Sequence, residues 1–175
     1  MPRVGDADFT IERLATRANN DLANGLGNLV NRIIAMVHRY RAGCPPDTSD
    51  IAPGSEELSA ACRRAPDLIE IALTGFDFRA ATAAVWAIAE AANRYINHIQ
   101  PWQLAKAERG GDNDAAQRLD SVLAALVRAI RALGDNLAPF LPGTSARIAG
   151  QCGVINGRLP EPHRLFERIG AAPPT

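Results

Sequence analysis

Apolar side chains recur at helical spacing from the start of the chain. Ile11, Leu14, Ala18, Leu22, Leu26, Leu29, Ile33, Val37 and Tyr40 stand three or four residues apart, which places them on one face of a helix. Thr10 supplies the N-cap, and the pattern predicts one long amphipathic helix ending near Gly43. Inside it the stretch DLANGLGNLVNR, residues 21 to 32, is out of character. It holds Asn24, Asn28 and Asn31 and two glycines. A glycine alone weakens a helix interior by about 1 kcal/mol relative to alanine.

The prolines of CPPDTSDIAPGS then enforce a loop. Ser55 is read as the cap of a second helix with Glu56 and Glu57 in its first turn, running to about Gly75. Pro66 interrupts that span and predicts a kink or two shorter helices. Asp77 caps a third helix, FRAATAAVWAIAEAANRYINHI, whose inward stripe is Val85, Ile88, Ala92 and Tyr95 with Trp86 beside it. Pro101 ends it, and ERGGDNDA reads as a polar turn. A fourth helix over about 115 to 133 turns Leu119, Leu123, Leu126, Ile130 and Leu133 inward. A short fifth helix follows, capped by Thr144 or Ser145. The expected fold is all-α, an antiparallel bundle of about five helices. It forms a single domain over 1–175, with a lead-in at 1–9 and an irregular, proline-rich tail at 154–175.

Composition supports this picture. The chain is 47% hydrophobic and only 5% aromatic, with alanine prominent, which suits one helical core and argues against disorder. No apolar run approaches the roughly 20 residues that span a bilayer, and the first residues lack a signal-peptide pattern, so a cytoplasmic, membrane-free protein is expected. Nineteen basic residues balance nineteen acidic ones. Bulk attraction to phosphate is thereby excluded, and any RNA would have to be held by a local patch and base contacts.

Catalytic patterns are missing from the sequence. Cys44, Cys62 and Cys152 form neither a CxxC pair nor a disulfide framework. His38, His98 and His163 lie on different elements without metal-ligand spacing. Gly110-Gly111 lacks the strand and the Lys-Ser/Thr of a phosphate loop. No cofactor or metal, and no catalytic residue, is expected.

The polar side of the first helix is more informative. At about 100° per residue, Asp21, Asn28, Arg32 and Arg39 share one flank beside the apolar stripe. Asn28 and Arg32 are i and i+4, hence neighbours one turn apart. An amide that both donates and accepts, next to a planar fork of donors, can read the edge of an unstacked base. It can equally bond a neighbouring helix or loop. Trp102 follows Pro101 at the end of the third helix, where it is either a packing lid or a platform for base stacking.

Three blocks at these residues, NNDLANGLGNLVNRIIAMVHRY, AVWAIAEAANRYINHIQPWQLAK and LAPFLPGTSARI, resemble the anticodon-binding domain of bacterial methionyl-tRNA synthetases, a class I aminoacyl-tRNA synthetase family. The resemblance extends from about Gly5 to about Arg168. It implies a helical bundle that recognises the CAU anticodon of methionine tRNA. It further implies that Trp102 stacks on the anticodon cytosine and that Asn28 and Arg32 hydrogen-bond anticodon bases. On this reading the helix tolerates poor formers because one flank reads RNA while the other packs.

Two departures qualify the resemblance. The HIGH and KMSKS signatures of the family's catalytic half are missing, so methionine activation by these residues alone is not expected. In HRLFERI, Glu167 stands where the family pattern has proline. The expected partner is the anticodon loop of methionine tRNA, with a catalytic synthetase domain or another tRNA-dependent enzyme as a further partner. The alternatives are a free-standing paralogue that presents tRNA to another enzyme, and a helical protein-interaction scaffold that has lost RNA binding.

Overall fold

The computed structural model describes residues 10–48 and 52–170, so the expected lead-in at 1–9 lies outside the described residues. The helices are α1 (Ile11–Arg17), a π-helical segment (Ala18–Gly27), α2 (Asn28–Arg41), α3 (Glu56–Thr74), α4 (Phe78–Ile99), α5 (Pro101–Arg109), α6 (Asn113–Leu137) and α7 (Pro142–Cys152). No strand occurs among the described residues, only a lone bridge between Ile155 and Arg158. The fold is all-α.

The first helix starts as expected, with the Thr10 side chain accepting from the Arg13 N–H at 3.2 Å. It does not continue as uniform α-helix. Ala18–Gly27 widens into π geometry before α2 resumes α geometry at Asn28. The asparagines and glycines that stood out in the sequence fill this wider segment, where the ordinary helical ladder is relaxed. The rod ends on left-handed Ala42 and Gly43.

Pro66 does not divide α3. The missing N–H removes one bond, but buried Ala65 and Ile69 on either side keep both halves packed, and α3 lies along α4 and α6. Ser55 precedes α3 without a side-chain capping bond. Asp77 caps α4 as expected, accepting from the Ala80 N–H at 3.0 Å. Gln100 then turns left-handed, and buried Pro101 opens α5, an additional helix where only a break and a polar turn were expected. α6 begins two residues earlier than the pattern suggested because Asp112 caps it, accepting from the Ala115 N–H at 2.9 Å. Pro142 at the first turn likewise moves the start of α7 ahead of Thr144.

α6 occupies the centre, touching α2, α3, α4, α5 and α7. Ser121 to Val127 are all buried along it, and Leu119, Leu123, Leu126, Ile130 and Leu133 point into the core as expected. α4 runs in the same direction as the first rod. Trp86 lies beside Gly25 and Asn93 beside Arg32, at the same separation along the chain.

The tail after α7 is irregular but held. Residues 159–170 return antiparallel along the first rod as a strap. The Leu159 N–H donates to Gly43 O at 2.8 Å, and His38 Nε2 lies 3.0 Å from Pro160 O. Buried Gln151 donates to His163 O at 2.7 Å, and Phe166 packs on Gly27. Asn19 closes the far end with two 2.9 Å bonds, accepting from the Ile169 N–H and donating to Ile169 O.

Candidate nucleic-acid interface

The first rod presents three strips of surface. One packs on α4 through Gly25 and Arg32, and another carries the strap on Gly27 and His38. Between them an exposed strip contains Asn24, Asn28, Ala35 and Arg39.

Asn28 and Arg32 are adjacent on this surface, as their spacing requires. Asn28 is exposed, the first residue of α2, placed where the π segment gives way to α-helix. Arg32 is half-buried against α4, where its Nη2 donates to Asn93 Oδ1 at 3.5 Å. Asn93 is itself oriented by donating its Nδ2 to Ala89 O at 3.1 Å. Arg32 Nε is buried with no partner, and among the described residues no carboxylate pairs with the side chain. Burial pushes the guanidinium below the ordinary arginine value, yet arginine stays charged in proteins. The result is a partly desolvated cation, with no acid partner among the described residues, one turn from an open amide.

Its contrast is Arg41, nine residues on. That side chain donates to Asp120 and, at 3.1 Å, to Glu108, tying α2 to α5 and α6. Burial opposes its charge, but those two carboxylates outweigh it and raise Arg41 above the ordinary value. Arg41 is a structural tie, whereas Arg32 has donors to spare.

Trp102 lies on a different element, the second residue of α5 and 44% exposed. Left-handed Gln100 and buried Pro101 fix its position, while Leu104 and Ala105 bury the opposite face of α5. It does not belong to the core. Trp86, by contrast, is partly buried and packs against the core. α4 carries the connection: Asn93 touches Arg32, and the helix ends six residues later, about 9 Å along its axis, just before Trp102. α5 also lines a cleft with Arg39, Tyr40 and Arg41, so the tryptophan's helix sits beside the C-terminal half of α2.

On the other side of Asn28 a cleft of about 640 Å³ opens between α2 and the strap, lined among others by Asn24, Asn28, Asn31, Arg164, Phe166 and Arg168. Arg168 Nη2 donates to Asn24 Oδ1 at 3.0 Å, and Asn31 Oδ1 is buried without a partner. Sequence reasoning singled out Asn28, Arg32 and Trp102 and missed two features. Asn93 was one, although an asparagine amid the alanines of α4 was a visible signal. The strap was the other, since no periodicity marks it. Asn19 and Asn24 serve the strap, so the poor helix formers have a structural use as well as any recognition role.

No helix among the described residues is long and apolar enough to cross a membrane, and no group of their His, Cys, Asp and Glu side chains could hold a metal ion.

Comparison with known proteins gives the chain a lineage. No protein-family model matches it. Methionine–tRNA ligase 1 of Bacillus cereus is 33% identical over 170 residues, which is 97% of this chain and 24% of that protein. The methionine–tRNA ligase of Enterococcus faecalis is 35% identical over 155 residues, 88% of this chain and 22% of that protein. Among solved structures, Mycobacterium tuberculosis methionyl-tRNA synthetase in its free state superposes with a TM-score of 0.84 at 24% identity, covering 94% of this chain and 36% of that one. The same enzyme with bound methionyl-adenylate gives 0.82 at 25% identity, covering 91% and 34%. The chain thus spans about a quarter of the length of the curated relatives it matches. Over nearly its whole length it is homologous to one segment of the bacterial methionyl-tRNA synthetases.

Proposed function

We propose that this chain is a tRNA-binding module that reads the CAU anticodon of methionine tRNA through Asn28, Arg32 and Trp102. One observation carries the reading: the half-buried guanidinium of Arg32, without an acid partner among the described residues and with an orphaned Nε, beside the exposed amide of Asn28. A cation partly shielded from water in this way gains more from an acceptor that a ligand brings than a fully hydrated one would. The edge of an unstacked base offers such acceptors. Trp102 contributes an exposed aromatic face held still by Pro101, and rigid placement lowers the entropic cost of stacking. The relatives' names supply the RNA: each is a methionine–tRNA ligase.

In this reading the exposed strip of α2 is the floor of the site and α4–α5 its aromatic wall. Asn93 is a positioning residue that aims Arg32. The chain performs recognition, and methionine activation belongs to a catalytic synthetase domain with which it works.

Binding of a CAU anticodon stem-loop tests the assignment. Trp102→Ala should weaken binding by about 1–3 kcal/mol. Arg32→Ala should narrow the preference for CAU over a scrambled loop by a comparable amount. Parent-like affinity and parent-like selectivity in both variants would sink the assignment.

A further inference from the structure

The strap crosses the surface next to Asn28, and the groups that anchor it are distinct from Arg164. Arg168 is engaged by Asn24, His163 by Gln151 through its carbonyl, and Ile169 by Asn19. Between these anchors Leu165 is buried, while Arg164 is exposed and makes no hydrogen bond or ion pair among the described residues. It lines the same cleft as Asn24, Asn28 and Asn31. Two arginines and no acidic residue line that cleft. In a chain whose charges sum to zero, such a local excess of cations is where a polyanion can be held.

We propose that the strap forms the second wall of the RNA site and that Arg164 contacts the RNA backbone at a phosphate. This rests on the anticodon reading above. Arg32 lies on the side of α2 nearest α4, and Arg164 lies across Asn28 from it. A strand whose bases enter between Asn28, Arg32 and Trp102 would therefore present its phosphates towards the strap. A backbone contact positions the strand without choosing bases, so the two walls have separable effects.

The experiment titrates the full chain with a CAU stem-loop and with a scrambled loop on the same stem, over a range of salt. Arg164→Ala should weaken binding of both by about five-fold at 0.1 M salt and lower the slope of log Kd against log salt by about 0.7–1. The CAU preference should be unchanged. Arg164→Lys should restore the slope, and Arg64→Ala on exposed α3 should alter nothing. Hydrogen exchange at the Leu159 and Ile169 amides, protected by Gly43 and Asn19 in the parent, reports whether the strap stays docked. Parent-like affinity and slope in Arg164→Ala would overturn the proposal while leaving the anticodon reading intact. A loss of CAU preference alone would also overturn it, because Arg164 would then read a base. If the parent binds neither RNA, the anticodon reading itself fails and this inference falls with it.

Discussion

Gly25 and Gly27 stand two residues apart in the same π segment, and alanine at each should have opposite effects. A methyl group at Gly25 meets Asn20 O at 3.4 Å and Trp86 Cζ3 at 3.8 Å, ordinary contacts that need no adjustment. Alanine there restricts the unfolded chain and should stabilise by about 0.5–1 kcal/mol. For a domain of this size that raises Tm by about 1–4 °C. A methyl group at Gly27 lies 3.1 Å from Phe166 Cδ2 and 3.3 Å from Leu22 O. The carbonyl belongs to the rod and cannot retreat, so the ring must move, and the neighbouring buried Leu165 resists that movement. Overpacking of this kind costs about 1–3 kcal/mol, which more than offsets the conformational gain and leaves a net loss of about 1 kcal/mol. The strap should loosen with the ring. Urea unfolding measures the two stabilities, and hydrogen exchange at Leu159 and Ile169 measures the strap. Adding Phe166→Leu to Gly27→Ala should recover part of the loss, since the two sites are in contact and couple. Equal stabilisation by both alanines, with the strap amides still protected, would refute the close packing of strap on rod.

Ile130, buried at the centre of α6, is expected to cost about 2–5 kcal/mol when replaced by alanine, read from the midpoint of chemical unfolding. Alkaline solutions should destabilise the fold. Burial pushes the Cys152 thiol up to about 11 from 9.0, and the Tyr95 hydroxyl up to about 12 from 10.0. Both groups hold their proton longer folded than unfolded. Stability is therefore intact below pH 9 and falls as pH rises through these windows, by about 2–3 kcal/mol from Cys152 alone at pH 11. Replacing Cys152 with alanine should flatten the fall between pH 9 and 11 in stability-against-pH curves.

Helix identity was legible in the sequence where side chains near in the chain decide it. Thr10 and Asp77 cap the helices they were expected to cap, and Phe78–Ile99 has the limits its pattern implied. Where distant packing competes, local signals gave way. Pro66 is a breaker by itself, but the buried neighbours of α3 outweigh the loss of one hydrogen bond. The residues directly after Pro101 gave no helical pattern because their apolar face is short. Pro101, Leu104 and Ala105 nevertheless suffice when α6 covers them. Thr144 looked like a cap yet is buried within α7, because Pro142 already begins that helix. For the candidate site, spacing alone placed Asn28 beside Arg32. That Arg32 lacks an acid partner among the described residues while Arg41 has two could not be read in advance, since the deciding residues, Asn93, Glu108 and Asp120, come from other helices. The strap was hidden for the same reason. Its bonds to Asn19, Asn24 and His38 join residues far apart in sequence and follow no period.

The central claim is that the exposed ring of Trp102, together with Asn28 and Arg32, recognises the CAU anticodon. Tryptophan fluorescence tests it most directly in a Trp86→Phe chain, where Trp102 is the sole remaining tryptophan. Titration with a CAU stem-loop should quench that emission in a saturable way, and a scrambled loop on the same stem should do so only at much higher concentration. Equal quenching by both loops, or none by either, would contradict the claim.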